Sequence, residues 1–142
     1  MVGTLSARLS RIVEALSLRP GLRVLEIGCG PGAMARELAA RIADGQVLAI
    51  DRSDAAIRQA VAGSAAEMAT GRLEFRQSLA EAFVLKPGEP LYDLAVAIRV
   101  GALDGRHPET GKLARAAIKA ALVPSGKLYI DGGDPLREIE LT

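Results

Sequence analysis

Glu26-Ile27-Gly28-Cys29-Gly30-Pro31-Gly32 brings a carboxylate, the chain's one thiol and three glycines at alternate positions into one short stretch. Glycines spaced this way let the backbone turn with φ > 0 and leave no side chains beside it, while a helix starting just after offers free N–H donors. Such a turn serves the close approach of a ligand to the backbone. Asp51 ends the next apolar run, Val47 to Ile50. A carboxylate at the end of that neighbouring strand can accept two hydrogen bonds from a ribose diol, the geometry used for adenosine cofactors. Gly28, Gly30, Gly32 and Asp51 therefore imply an adenosine-containing ligand. A dinucleotide loop competes with this reading, because Gly28, Gly30 and Ala33 also satisfy G-x-G-x-x-G/A. Cys29 reads as a small residue in a tight turn, since nothing in the sequence pairs a base with it.

These residues need a scaffold, and the hydrophobic pattern supplies one. Leu5, Leu9, Ile12, Val13 and Leu16 fall on one face of a first helix, capped by Thr4 or Ser6 and stopped by Pro20-Gly21. That face serves the core or a lid over the ligand. Arg23 to Ile27 reads as a buried strand, Met34, Leu38 and Ile42 as a helix face, and Val47 to Ile50 as a second strand after the break at Asp44-Gly45. Ser53 is placed to cap a helix running toward Met68, and Gly71 separates it from a brief strand, Leu73 to Phe75. Between Ala80 and Pro90 the pattern is mixed, a turn of helix and then a loop around Pro87-Gly88. Leu91 to Ile98 is a fourth strand whose continuous apolar run, Leu94 to Ile98, suits a parallel strand covered on both faces. A polar loop from Gly101 to Thr110 leads into a helix from about Glu109 to Leu122, ended by Pro124-Ser125-Gly126, and Lys127 to Asp131 is a fifth strand. Alternating strands and helices in one chain of 142 residues predict a single α/β domain over 1–142 with a doubly wound parallel sheet.

With these elements in register the sequence resembles the class I S-adenosylmethionine-dependent methyltransferases, whose first motif is an acidic residue followed by Gly-x-Gly-x-Gly. Glu26, Gly28, Gly30 and Gly32 match it, and the likeness extends through Ala49 to Ser53, Tyr92-Asp93-Leu94 and Leu122 to Leu128. The resemblance implies a Rossmann-like sheet of strand order 3-2-1-4-5 and S-adenosylmethionine as cofactor. It places Gly28 and Gly30 along the methionine part, with Cys29 and Gly32 in the same loop. Glu26 then orients the ammonium group, Asp51 holds the ribose hydroxyls, and Arg52 lies along the adenine. Ala97 and Ile98 offer backbone carbonyls to the ammonium group. Many members carry an Asp against the adenine amine, where this sequence has Leu79, so adenine recognition is expected to rest on backbone groups or Ser78. Members also continue beyond the fifth strand through a further helix and a two-stranded hairpin, whereas this sequence ends at Thr142. A fifth strand left bare would be an exposed edge. Glu138 to Leu141, or a second copy of the chain forming a homodimer, is expected to cover it.

No catalytic residue is fixed by the sequence, and no metal ligands are assigned. His107, the one histidine, lies in the loop after the fourth strand, where it is either a general base or a surface residue ahead of Pro108. Arg99, Asp104 and Arg106 share that loop, either as an anion site for an acceptor or as solvated pairs. Asp93 starts its strand at the far end from the ligand and reads as structural. The implied activity is methyl transfer to a small-molecule acceptor. A non-catalytic module or partner subunit that binds S-adenosylmethionine or S-adenosylhomocysteine is the alternative.

Composition narrows the remaining classes. A net charge of +1 and 3% aromatic residues disfavour nucleic acid as a partner, since neither a basic face nor a stacking platform is provided. No apolar run reaches the ~18 residues of a membrane span, and Met1 to Ser10 has no secretory pattern. One cysteine cannot make an intrachain disulfide, so a cytoplasmic location is the expectation.

Overall fold

The computed structural model describes residues 5–141. Its helices and strands alternate as predicted: α1 (Ala7–Ala15), β1 (Arg23–Ile27), α2 (Ala33–Arg41), β2 (Gln46–Asp51), α3 (Asp54–Ala62), α4 (Ala65–Ala69), β3 (Leu73–Gln77), β4 (Tyr92–Ala97), α5 (Pro108–Ala121), β5 (Leu122–Asp131) and β6 (Leu136–Ile139). The sheet has the order β3-β2-β1-β4-β5-β6, with β6 antiparallel to β5 and every other pair parallel. This is the Rossmann-like arrangement expected, with one strand more.

Two apolar clusters cover the sheet faces. Ile12 and Val13 of α1 and Leu16 just after it join Met34, Leu38 and Ile42 against Val24, Val47 and Val96 on one face. Leu25, Leu48, Ala95 and Leu128 pack on the other face beneath Ala114, Ile118 and Ala121 of α5. Successive side chains of one strand point to opposite faces, so β1, β2 and β4 must be apolar at almost every position. Glu26, 3% exposed, is the buried exception within β1, whose other charged residue, Arg23, sits half-buried at its start.

Local chemistry sets the ends of these elements. Ser6 caps α1, its Oγ accepting from Leu9 N at 3.2 Å; Thr4, the other candidate, lies outside the described residues. Ser53 caps α3 in the same way, accepting from Ala56 N at 3.1 Å. Asp93 is structural as expected, its Oδ2 accepting from Arg23 N at 2.8 Å and holding the starts of β1 and β4 together.

The helix expected to run from Ser53 toward Met68 is instead two helices, broken at Gly63-Ser64. Ser64 is fully buried there, and its Oγ accepts from Arg36 Nη1 at 3.0 Å, a polar tie to α2 that a continuous helix would not present. β5 starts at Leu122 rather than Lys127, with an irregular register against β4 between Tyr92 and Leu94 that absorbs Pro124-Ser125-Gly126. The tail strand, expected at Glu138 to Leu141, spans Leu136–Ile139, so the chain's own tail covers the edge of β5. The turn that sends it back is tight: a Cβ on Gly133 would lie 2.0 Å from Leu136 O.

Candidate functional site

The carboxyl ends of β1, β2, β3 and β4 open onto a cavity of about 600 Å³. Such crevices at strand ends are where open α/β sheets take their ligands. Gly28, Asp51, Arg52, Ser78, Leu79 and His107 all line it, which brings together six residues proposed from the sequence. Val100, Gly101, Ala102 and Thr110 complete the wall on the side of α5.

β1 ends where Gly28 N and Cys29 N both donate to Ile50 O, at 2.8 and 3.0 Å, which curls the chain across the end of β2. Gly28, Gly30 and Gly32 all have positive φ, at 77°, 53° and 92°. Their surroundings differ. A Cβ on Gly28 would sit 2.7 Å from the Val100 side chain, so the loop after β4 closes directly over this glycine. A Cβ on Gly30 would meet nothing within 4 Å, so its backbone borders open space. Gly32 is instead packed, with Phe75 Cζ at 3.1 Å and Ala60 Cβ at 3.2 Å from the position of a Cβ, and serves the docking of α2 on β3 and α3.

Asp51 joins the two halves of the motif. Its Oδ2 accepts from Gly30 N at 2.9 Å, and its Oδ1 accepts from Ser53 N at 2.9 Å. The carboxylate thus fixes the glycine loop and the start of α3 while keeping lone pairs on the cavity side. Ser78 N donates to Asp51 O at 3.0 Å, and Gln77 Nε2 donates to Arg52 O at 2.9 Å, so β3 holds the same corner. Leu79 is 43% exposed, an apolar surface facing a polar corner.

Glu26, Cys29, Gly30, Gly32, Ala97 and Ile98 lie outside the cavity wall. Glu26 is buried behind the loop with its Oε1 unpartnered, and burial, helped by the charge of Asp51, pushes its carboxyl up to about 8. A buried acceptor without a donor costs free energy unless a ligand or water supplies one. Cys29 is also buried. Burial first, then the carboxylates of Glu26 and Asp51, push its thiol up, which leaves it protonated and unsuited to nucleophilic work.

The α5 side carries the residues the sequence could not rank. Arg99 has φ 58°, one of three non-glycine residues with positive φ among the described residues, and its N–H donates to Asp131 Oδ1 at 3.1 Å. Asp131 Oδ2 accepts from Arg8 at 2.7 Å, which links α1 to this loop. Arg106 Nε donates to Asp104 Oδ2 at 2.7 Å, and Arg106 N donates to Asp104 Oδ1 at 3.1 Å; these bonds hold the Asp104 carboxyl below its ordinary value. Arg99 and Arg106 both reach the cavity wall. A loop following a strand's carboxyl end signals a wall position in the sequence, but nothing in the sequence signals that an arginine takes a left-handed conformation. The stripe on α1 belongs to the core rather than to a lid, since no α1 residue lines the cavity. Among the described residues, no group of three or more His, Cys, Asp or Glu is placed to hold a metal ion, and no helix is long and apolar enough to cross a membrane.

Known proteins share this architecture. A protein-L-isoaspartate O-methyltransferase of Methylorubrum extorquens is 37% identical over 126 residues, covering 87% of this chain; the chain spans 47% of that relative's length. An S-adenosylmethionine-dependent methyltransferase from Geobacter sulfurreducens, solved with S-adenosylhomocysteine, superposes with a TM-score of 0.67 at 23% identity over 89% of this chain and 48% of its own. A TehB-like S-adenosylmethionine-dependent methyltransferase from Corynebacterium glutamicum gives 0.65 at 24% identity, over 94% of this chain and 67% of its own. Likeness at this level of identity speaks for the fold. The family model for the methyltransferase domain matches residues 24–126, from β1 through the first half of β5, and the chain belongs to that family.

Proposed function

We propose that the protein binds S-adenosylmethionine in this cavity and transfers its methyl group to a small-molecule acceptor. The observation that carries the reading is the bond between Gly30 N and Asp51 Oδ2, which locks the glycine loop and the ribose-type carboxylate into one corner of the cavity. The residues suit this cofactor. Glu26 Oε1 is a buried acceptor without a donor behind the loop, Gly30 leaves its backbone open, and Leu79 offers an apolar surface beside Ser78. In this assignment Asp51 accepts from the ribose hydroxyls, Arg52, Ser78 and Leu79 border the adenine, and Gly28 and Gly30 follow the methionine chain. Glu26, with the carbonyls of Ala97 and Ile98, receives the ammonium group. Gly32 and Cys29 act through the shape of the loop.

S-adenosylmethionine supplies a methyl group already activated by its sulfonium. The protein's task is then chiefly to position and to exclude water, and alignment alone can carry much of the rate gain. Val100 closes over Gly28, and the loop from Arg99 to His107 forms the outer wall. His107, exposed on that wall, carries an imidazole that can take up a proton, and is the candidate to accept one from the acceptor. A volume of about 600 Å³ is in keeping with small-molecule ligands, whose sites run from ~300 to ~1,000 Å³.

Calorimetric titration with S-adenosylmethionine, S-adenosylhomocysteine and NAD tests the reading. Adenosyl ligands are expected to bind at micromolar affinity or tighter, with no NAD signal. Asp51→Ala, checked for folding by circular dichroism, is expected to weaken binding by roughly 10- to 100-fold, the worth of one or two charge-assisted hydrogen bonds. Unchanged affinity in the folded variant would overturn the ribose assignment.

A further inference from the structure

Cations dominate the cavity wall away from Asp51. Arg99 and Arg106 line it beside His107, and the wall carboxylates are Asp51, already accepting from two backbone N–H groups, and Glu81. The Arg99 guanidinium forms no ion pair among the described residues. Arg106 is paired with Asp104, but through Nε, which leaves its two terminal nitrogens free of that carboxylate.

The Arg106 guanidinium and the Arg99 backbone are both held in place. A Cβ on Gly101 would lie 3.0 Å from Arg106 Nη2, so the bare backbone of Gly101 is what lets this guanidinium lie along the wall. Arg99 takes a left-handed backbone that is strained for any residue with a long side chain. The Asp131 carboxylate, itself fixed by Arg8, holds that conformation. An exposed arginine that served only solubility would need neither strain nor a clamp. α5 begins between these side chains and Thr110, and its dipole adds the same sign.

We propose that Arg99 and Arg106 form an anion subsite for the acceptor, which therefore carries a carboxylate or phosphate group at the cavity mouth. Arginine suits both anions, because its planar fork donates two parallel hydrogen bonds to either. The proposal deepens the methyl-transfer reading and rests on it for the site's role.

The test is NMR titration of the intact protein labelled with 15N at arginine and at the backbone. Benzoate and phenyl phosphate are the probes, added with and without saturating S-adenosylhomocysteine. Saturable shifts at the Arg99 and Arg106 Nε–H signals that persist with S-adenosylhomocysteine present are expected, and the stronger probe identifies the anion. Arg99→Asn, which tolerates the left-handed backbone, and Arg106→Gln are each expected to weaken the probe roughly tenfold, the worth of a charge-assisted hydrogen bond. Shifts that never saturate, or saturable binding unchanged in both variants, would overturn the subsite. Loss of the shifts once S-adenosylhomocysteine is bound would overturn it as well, because the pair would then serve the cofactor's own carboxylate. The cofactor reading is judged separately in the same samples, by S-adenosylhomocysteine shifts at the Gly28 and Gly30 amides.

Discussion

Gly30 and Glu26 separate two things a motif residue can do. Gly30 has φ 53° and open space where a Cβ would go, so Gly30→Ala adds backbone strain of ~1 kcal/mol without a clash in the protein. The variant is expected to lose little thermal stability but to lose binding of S-adenosylhomocysteine by at least tenfold, as read by calorimetry, if the open space is where the ligand lies. Glu26 makes a prediction in pH. Its carboxyl titrates at about 8 in the folded chain against an ordinary 4.5, so the folded state holds the proton more tightly than the unfolded chain does. The penalty for burying it is absent below 4.5, grows as pH rises, and is complete above about 8. Glu26→Gln is therefore expected to gain stability over the parent between pH 4 and pH 8, on the order of 3 kcal/mol, in paired thermal melts. A ligand ammonium placed beside Glu26 should also expel its proton at neutral pH. Calorimetry in buffers of different ionisation enthalpy would detect that release in the parent and not in Glu26→Gln.

Among the elements, the turn entering β4 is fixed by one carboxylate. Glu89 accepts from Arg76 at 3.1 and 3.2 Å, from Tyr92 Oη at 2.7 Å and from Lys86 N at 2.8 Å. Burial alone would raise its titration; the donors, Arg76 first, overcome that and bring it down to about 2. A carboxylate depressed in the folded state contributes stability that is present above 4.5 and lost as pH falls through about 2. Glu89→Gln is expected to cost ~2 kcal/mol at pH 7, with the gap to the parent narrowing in melts toward pH 2. Nothing in the sequence pattern marked Glu89, because its donors come from β3, β4 and the turn between them. What was legible was whatever depends on neighbours in sequence. The strand-glycine-helix unit, the Ser53 cap and the continuous apolar run of β4 follow from spacing and burial, whereas the sheet order came from the family resemblance that these pieces in register support. The break at Gly63-Ser64 was hidden because it is repaid by Arg36 on another helix, and the Arg99 clamp because Asp131 and Arg8 lie on β5 and α1.

At the scale of the whole molecule, the end of the sheet decides whether copies of the chain associate. β6 adds to β5 in antiparallel register, Leu128 facing Ile139 and Asp131 facing Leu136, and Lys127 pairs with Glu138 across it at 3.3 Å. The new outer edge carries Arg137 and Glu138, both exposed, and charged side chains on a short edge strand discourage pairing with another chain. The same tail ties back to α1, Arg8 reaching Asp131 at 2.7 Å and Arg11 reaching Asp134 at 3.2 Å, so the edge is anchored to the first helix. These surface pairs are each worth less than ~1 kcal/mol, and the strand's backbone pairing must supply most of the anchoring. Removing residues 134–142 would bare the backbone groups of β5 from Leu128 to Asp131, a template for strand pairing between molecules. The truncated protein is expected to sediment as dimers and larger species whose share rises with concentration, while the longer chain at the same concentrations sediments with a smaller associated fraction. Identical distributions for the two would mean that β6 protects nothing and that the edge is kept apart by other means. The truncation also frees Asp131 from the strand that fixes it and so loosens the support of Arg99. The anion titration repeated on the truncated chain should then weaken, even though no residue of the cavity wall has been removed.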